Sequence, residues 1–319
     1  MTRCPSVYSI LLVLLLAATL IWPSAVSQTL AAAPPGGVRL QGVDYGPFRD
    51  GQQPGGPCPT AKQMTEDMWL LTRMGNAIRT YGLADCNLGK NLLKAASPAP
   101  LQIVLGLWLG PDASANAKEI KSLSKLKGKL KNVMAIAVGS ETLLRGDLSM
   151  DVLIGYIQQV RDIVGDQGIP ITTAEPWHIW LGLDGRYPDP TPLASAVDFL
   201  FLNIHPYWEQ VPITAAVDHV FDKVYRVQQA YPSKSVVISE TGWPTAGPSN
   251  GAAEPSLENQ KLFLKEFLPQ AKAEDLSFFS FEAFDEQWKP ESGVEQHWGL
   301  YRSNRTPKQD VETLLCCLE

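Results

Sequence analysis

The chain is poor in charge. Only 19% of its 319 residues are Asp, Glu, Lys or Arg, against the roughly 25% usual in soluble proteins. The 27 basic residues are outnumbered by 33 acidic ones, for a net charge of −6. This balance argues against an electrostatic hold on nucleic acid or anionic lipid and fits a neutral partner. Gly and Pro, 25 of each, stay short of the roughly 25–30% that marks low-complexity sequence, which excludes a disordered or collagen-like chain. Histidines number four (His178, His205, His219, His297), without H-x-x-x-H spacing or a cysteine partner, so nothing points to a metal. No G-x-G-x-x-G or G-x-x-x-x-G-K-[ST] follows an apolar run, and Gly139-Ser140-Glu141 at the end of the fourth run lacks the G-x-S-x-G elbow pattern, which argues against a nucleotide cofactor and a serine acyl-transfer centre. No cofactor is expected. What is present is 45% hydrophobic residues, enough for a large core, and nine Trp whose positions matter more than their number.

Cysteine is also scarce, at five. Cys4 lies in a segment that reads as a secretory signal: Arg3, an apolar run from Ile10 to Trp22, then Ala25-Val26-Ser27 before a cut at Gln28. The run of about 13 residues is shorter than the roughly 20 needed to span a bilayer, and no later segment is a candidate. The expected layout is a signal at 1–27, a flexible Ala/Pro/Gly leader at 28–37 and one folded domain at 38–319, secreted, monomeric and free of membrane once the signal is removed. Cys58, Cys86, Cys316 and Cys317 would remain, an even number suited to an oxidising compartment. Four cysteines allow three connectivities; Cys58 with Cys86 is the favoured bridge, since neighbouring cysteines rarely bond each other.

Eight short apolar, β-rich runs recur along the chain: Val38 to Tyr45, Asn76 to Tyr81, Leu101 to Leu109, Val133 to Val138, Ile171 to Ala174, Val197 to Ile204, Ser235 to Ser239 and Ser277 to Phe284. Helical spacing fills Thr60 to Met74, Ala113 to Leu130, Met150 to Gly165, Ile213 to Ala230, Ser256 to Ala273 and Lys308 to Leu315. Strands apolar on both faces and alternating with helices imply a parallel sheet covered by helices. Eight such units predict an α/β fold closed as a single (β/α)₈ TIM barrel, with an open doubly wound sheet as the competing architecture. The lysines of Lys118 to Lys131 alternate with Ile120, Leu123, Leu126 and Leu130 at helical spacing, which reads as a solvated helix face rather than a polyanion site.

A TIM barrel carries its active site at the C-terminal ends of its strands. Those ends are rich in polar and aromatic residues: Asp44 and Tyr45; Arg79 and Tyr81; Trp108; Ser140 and Glu141; Glu175 and Trp177; Asn203, His205, Tyr207 and Trp208; Glu240 and Trp243; Glu282, Asp285, Glu286, Trp288 and Lys289. Trp108, Trp177, Trp180, Trp208, Trp243 and Trp288 all fall at this end, and only Trp69 lies clearly within a helix. Carboxylates interleaved with indoles suit a pyranose ring, whose C–H face packs on an aromatic plane while its hydroxyls bond acids and amides. Glu141 and Glu240 stand out because each ends an apolar strand, where an ionised group needs a task. Glycosidic cleavage needs one protonated acid and one ionised carboxylate, and strands four and seven would set these two across the mouth. Glu175, Glu282, Asp285 and Glu286 are rival carboxylates.

Six segments carry a resemblance to glycoside hydrolase family 17, the β-1,3-glucanase and β-1,3-glucanosyltransferase family, and to its microbial members in particular. They are Gly42-Val43-Asp44-Tyr45-Gly46-Pro47, Arg79-Thr80-Tyr81, Val138-Gly139-Ser140-Glu141, Ser239-Glu240-Thr241-Gly242-Trp243-Pro244, Phe281 to Lys289, and Trp298-Gly299-Leu300. The resemblance implies that Glu141 is the general acid/base and Glu240 the nucleophile of a retaining double displacement on a β-glucan substrate. It implies that Glu286 and Lys289 help hold the acid in position, and that Tyr207 and the Trp set line the sugar subsites. Substrate contacts are thus expected at Tyr45, Arg79, Tyr81, Trp108, Trp177, Tyr207, Trp243 and Trp288. A retaining pair has its carboxyls about 5–5.5 Å apart. The sequence departs from the family at Ser140, where an Asn normally precedes the acid and reaches the sugar 2-hydroxyl. Two alternatives are a glucan-binding cell-wall protein of weakened catalysis and a barrel hydrolase for another β-linked polysaccharide.

Overall fold

The computed structural model describes residues 41–290 and 293–308. The expected signal, leader and C-terminal helix, together with Cys316 and Cys317, lie outside the described residues. Eight parallel strands close into one barrel in chain order: β1 Gln41–Asp44, β2 Ala77–Arg79, β3 Gln102–Leu107, β4 Val133–Ser140, β5 Ile171–Pro176, β6 Leu200–Asn203, β7 Val236–Thr241 and β8 Phe278–Ser280. The ring shuts where Gly42 of β1 pairs with Phe279 of β8. The expected single TIM barrel is the observed architecture.

The helices are α1 Ala61–Leu71, α2 Leu88–Ala96, α3 Ala113–Leu126, α4 Met150–Val164, α5 Trp177–Trp180, α6 Thr191–Ala196, α7 Ile213–Ala230 and α8 Leu257–Ala273. Thr60 and Gln63 cap α1 reciprocally, and Asp112, Ser149 and Ser256 each accept a backbone N–H at the start of α3, α4 and α8. Helical spacing anticipates the long helices but not α2, nor α5 and α6, which are too short to display a period. On α3, Ile120, Leu123 and Leu126 face the core and the lysines face solvent.

Two apolar layers result. Side chains facing the helices form the larger one, while the barrel interior is filled by Ala77, Val104, Ala135, Ala137, Ala174, Phe199, Phe201, Val237 and Phe279. Phe201 of β6 meets Phe199, just before that strand, edge to face at 5.5 Å and Phe279 of β8 at 5.8 Å, and small residues opposite leave the rings room. This plug supports the site, because the Arg79 guanidinium rests over the Phe201 ring at 5.3 Å.

Two register shifts position the carboxylates. Between β6 and β7 the pairing runs Leu202 with Ile238 and then Asn203 with Glu240, so β7 holds one extra residue. Val237 faces the barrel interior, and strict alternation would turn Glu240 outward; the bulge returns it to the mouth. Between β4 and β5 the register shifts again, between Ala137 and Ser140.

Candidate active site

Glu240 ends β7 with both carboxylate oxygens engaged. Its Oε1 accepts from Arg79 Nη1 and from the Tyr81 hydroxyl at 3.1 Å, and its Oε2 lies 3.1 Å from His205 Nε2. Burial alone would raise the Glu240 pKa, but the Arg79 charge and the His205 contact hold it well below the usual carboxylate range. Arg79 itself is buried and also bonds Asp44 Oδ1 at 3.0 Å and Ser140 Oγ at 3.0 Å. Asp44 is driven the other way: burial raises its pKa well above normal despite Arg79.

Glu141 follows β4 in a different environment. Gly139 and Glu141 both take left-handed backbone, φ 82° and 55°, so the chain turns sharply on either side of Ser140. The Glu141 N–H donates to Ala174 O at 2.7 Å, and its Oε1 accepts one hydrogen bond, from Asn203 Nδ2 at 2.8 Å. Burial, then the nearby Glu240 charge, raises its pKa. Asn203 also accepts from Ser239 Oγ, so one amide is fixed between the ends of β4 and β7. The two carboxyls therefore hold opposite tendencies, one toward the protonated form and one toward the charged form, the division of labour that acid-assisted displacement requires.

A third carboxylate group gathers around Lys289. Lys289 Nζ spends its contacts on Glu282, at 2.9 and 2.8 Å, and on Glu286 at 3.0 Å, whereas Glu141 is held by Asn203. Glu286 also packs on the backbone of Gly46, where a Cβ would stand 1.7 Å from its Oε1.

The expected sugar contacts separate into two sets. Trp108 after β3, Trp208 after β6 and Trp288 after β8 are 48%, 49% and 38% exposed. Trp108 meets Tyr81 edge-on at 6.4 Å and lies under the Arg145 guanidinium at 4.7 Å, while Trp288 packs on Phe48 at 5.8 Å. Tyr45, Tyr207 and Trp243 are buried instead, and each polar tip is spent internally, on Asp67, Pro248 O and Glu254 O. Trp180 is buried as well, with its indole N–H donated to Phe201 O at 3.3 Å. Trp177 is half-buried, but Lys223 and Arg226 lie over its ring at 4.8 and 5.2 Å and its N–H bonds Glu209. Asn203 and His205 are the residues whose roles the sequence did not disclose; their one signal is a polar i, i+2 pair at the end of an apolar strand.

The Cys58–Cys86 disulfide is formed and ties the loop after β1 to the loop after β2. Among the described residues no group of three or more His, Cys, Asp or Glu is arranged to hold a metal ion. No helix among them is long and apolar enough to cross a membrane.

A closed parallel barrel whose strand ends hold one carboxyl raised in pKa and one lowered is the arrangement of a (β/α)₈ glycosidase. The BtgE/BtgC glycoside hydrolase domain matches residues 42–299, and the chain belongs to that glycoside hydrolase family, within family 17. A glucan 1,3-beta-glucosidase of Schizosaccharomyces pombe is 34% identical over 270 residues, covering 80% of this chain and 82% of that one. A second, from Arthroderma benhamiae, is 34% identical over 281 residues, covering 82% and 88%. Among solved structures, the glycoside hydrolase family 17 beta-1,3-glucanosyltransferase from Rhizomucor miehei superposes with a TM-score of 0.75 at 33% identity, covering 84% of this chain and 95% of that one. An active-site mutant of the Rhizomucor enzyme has been solved with laminaritriose. The family resemblance, and its microbial direction, are borne out.

Proposed function

We propose that the protein is a secreted retaining glycosidase that cleaves β-1,3-linked glucan by double displacement, with Glu141 as acid/base and Glu240 as nucleophile. The observation that carries this reading is the contrast between the two carboxyls. Glu240 is kept ionised by Arg79, Tyr81 and His205, while burial and the Glu240 charge favour the proton on Glu141. In the first step Glu141 gives its proton to the glycosidic oxygen as that bond breaks, and a Glu240 oxygen bonds the anomeric carbon. In the second, ionised Glu141 takes a proton from water or from a sugar hydroxyl, whose oxygen then displaces Glu240. Water gives hydrolysis and a sugar hydroxyl gives transfer, so both outcomes share the first step. The glucan 1,3-beta-glucosidase and beta-1,3-glucanosyltransferase relatives support the β-1,3 linkage and both outcomes. Secretion to the cell wall or extracellular space rests on the signal-like 1–27 segment.

Trapping tests the assignment. A 2-deoxy-2-fluoro β-glucosyl donor should leave a covalent adduct on the peptide containing Glu240, and Glu240→Ala should abolish turnover while retaining glucan binding. An adduct elsewhere, or turnover surviving in Glu240→Ala, overturns it.

At Ser140 the family's amide is replaced by a shorter hydroxyl, which accepts from Arg79 Nη2 and has a single proton to donate. Part of a 2-hydroxyl contact that strengthens in the transition state is then missing. Ser140→Asn should raise kcat on laminari-oligosaccharides by roughly 3–10-fold, as one net hydrogen bond implies; unchanged or lower turnover contradicts this.

A further inference from the structure

Glu175 lies near the end of β5, one residue after Ala174, whose carbonyl takes the Glu141 N–H. Ala174 points into the barrel plug, so strand alternation turns Glu175 away from the mouth, where it cannot meet a sugar. Its side chain is completely buried and completely used. Oε1 accepts from Thr142 Oγ1 at 3.0 Å and from the Leu143 N–H at 2.9 Å, and Oε2 accepts from the Leu144 N–H at 3.3 Å. Residues 142–144 follow Glu141 directly, and Glu141 holds a left-handed φ of 55° that an L-residue adopts only when its surroundings impose it.

The chain on both sides of the acid is thus fixed by β5: the N–H of Glu141 by Ala174 O, and the turn beyond it by the Glu175 carboxyl. Arg145 closes the turn by donating its N–H to Glu141 O at 2.9 Å and its side chain to Ser140 O. Burial raises the Glu175 pKa to about 7, and the nearby Glu141 charge adds to this, so the group is retained at a cost.

We propose that Glu175 is a positioning residue for the acid/base: its carboxyl clamps residues 142–144 and thereby sets the direction in which Glu141 presents its proton. The inference rests on the assignment of Glu141 as proton donor. A misaimed donor slows only those bonds that need protonation on cleavage, because a dinitrophenolate leaves unaided. The test compares kcat/KM on laminaritriose and on a 2,4-dinitrophenyl β-laminaribioside for Glu175→Ala, Glu175→Gln and Glu141→Ala. Glu175→Ala should lose about 10²-fold on laminaritriose, as misplacement of a reacting group by about 1 Å does, and less than about threefold on the aryl substrate. Glu175→Gln keeps an oxygen for Thr142 and Leu143 and should recover to within about fivefold of wild type on laminaritriose. The aryl substrate also reports folding. Equal losses on both substrates, or no loss on laminaritriose, overturn the inference when Glu141→Ala itself discriminates between them. If Glu141→Ala does not discriminate, the acid assignment falls and this inference falls with it.

Discussion

Arg79 organises the site at the residue scale. One buried guanidinium touches Asp44, Tyr81, Ser140 and Glu240, and its charge is what keeps the Glu240 pKa low against burial. With Arg79 removed, the neutral form of Glu240 gains and its pKa rises. With Glu240 as the proposed nucleophile, the acid limb of kcat/KM should therefore move to higher pH in Arg79→Met, and turnover at the optimum should fall by about 10²-fold or more. The alkaline limb, set by the raised pKa of Glu141, should stay in place. A pH profile checks both limbs, and an unmoved acid limb refutes the role given to Arg79. Glu141 and Glu240 were legible in the sequence because a charge at the end of an apolar strand is conspicuous. Asn203 and His205 were not, because their function depends on which oxygen they meet across the barrel. For the indoles the sequence gives position but not surroundings: Trp243 is buried, Trp177 lies under Lys223 and Arg226, and Trp108 lies under Arg145.

At the element scale, strands and long helices followed from apolar runs and helical spacing, and the closed barrel from their count. The bulge in β7 did not, since one extra residue leaves the apolar run unchanged while reversing the direction of Glu240. The disulfide ties two mouth loops across a sequence separation of 28 residues, one of which carries Phe48 against Trp288. By loop closure it should contribute about 2–4 kcal/mol. The Cys58→Ala/Cys86→Ala double variant should melt several degrees lower in calorimetry; an unchanged melting temperature would show that the loops are held by their packing alone.

Considered as a whole, the molecule pairs a charge-poor chain with a mouth rimmed by exposed Trp108, Trp208 and Trp288. An uncharged polymer held by stacking and hydrogen bonds should bind independently of ionic strength, because no charge pair is screened. Alanine at any of the three indoles should raise KM for laminari-oligosaccharides by roughly 5–20-fold, the loss of about 1–2 kcal/mol of aromatic contact, with a smaller effect on kcat. Steady-state kinetics with and without added salt checks both statements, and a KM that climbs steeply with salt would point to an anionic substrate. Apart from the barrel, little of this rim was readable in advance: the indoles were visible, but their faces were not.

A retaining mechanism through Glu240 releases its first product with the configuration of the substrate. Proton NMR of that product from a laminari-oligosaccharide, recorded before mutarotation, should show the β-anomer; the α-anomer would establish inversion and rule out Glu240 as nucleophile.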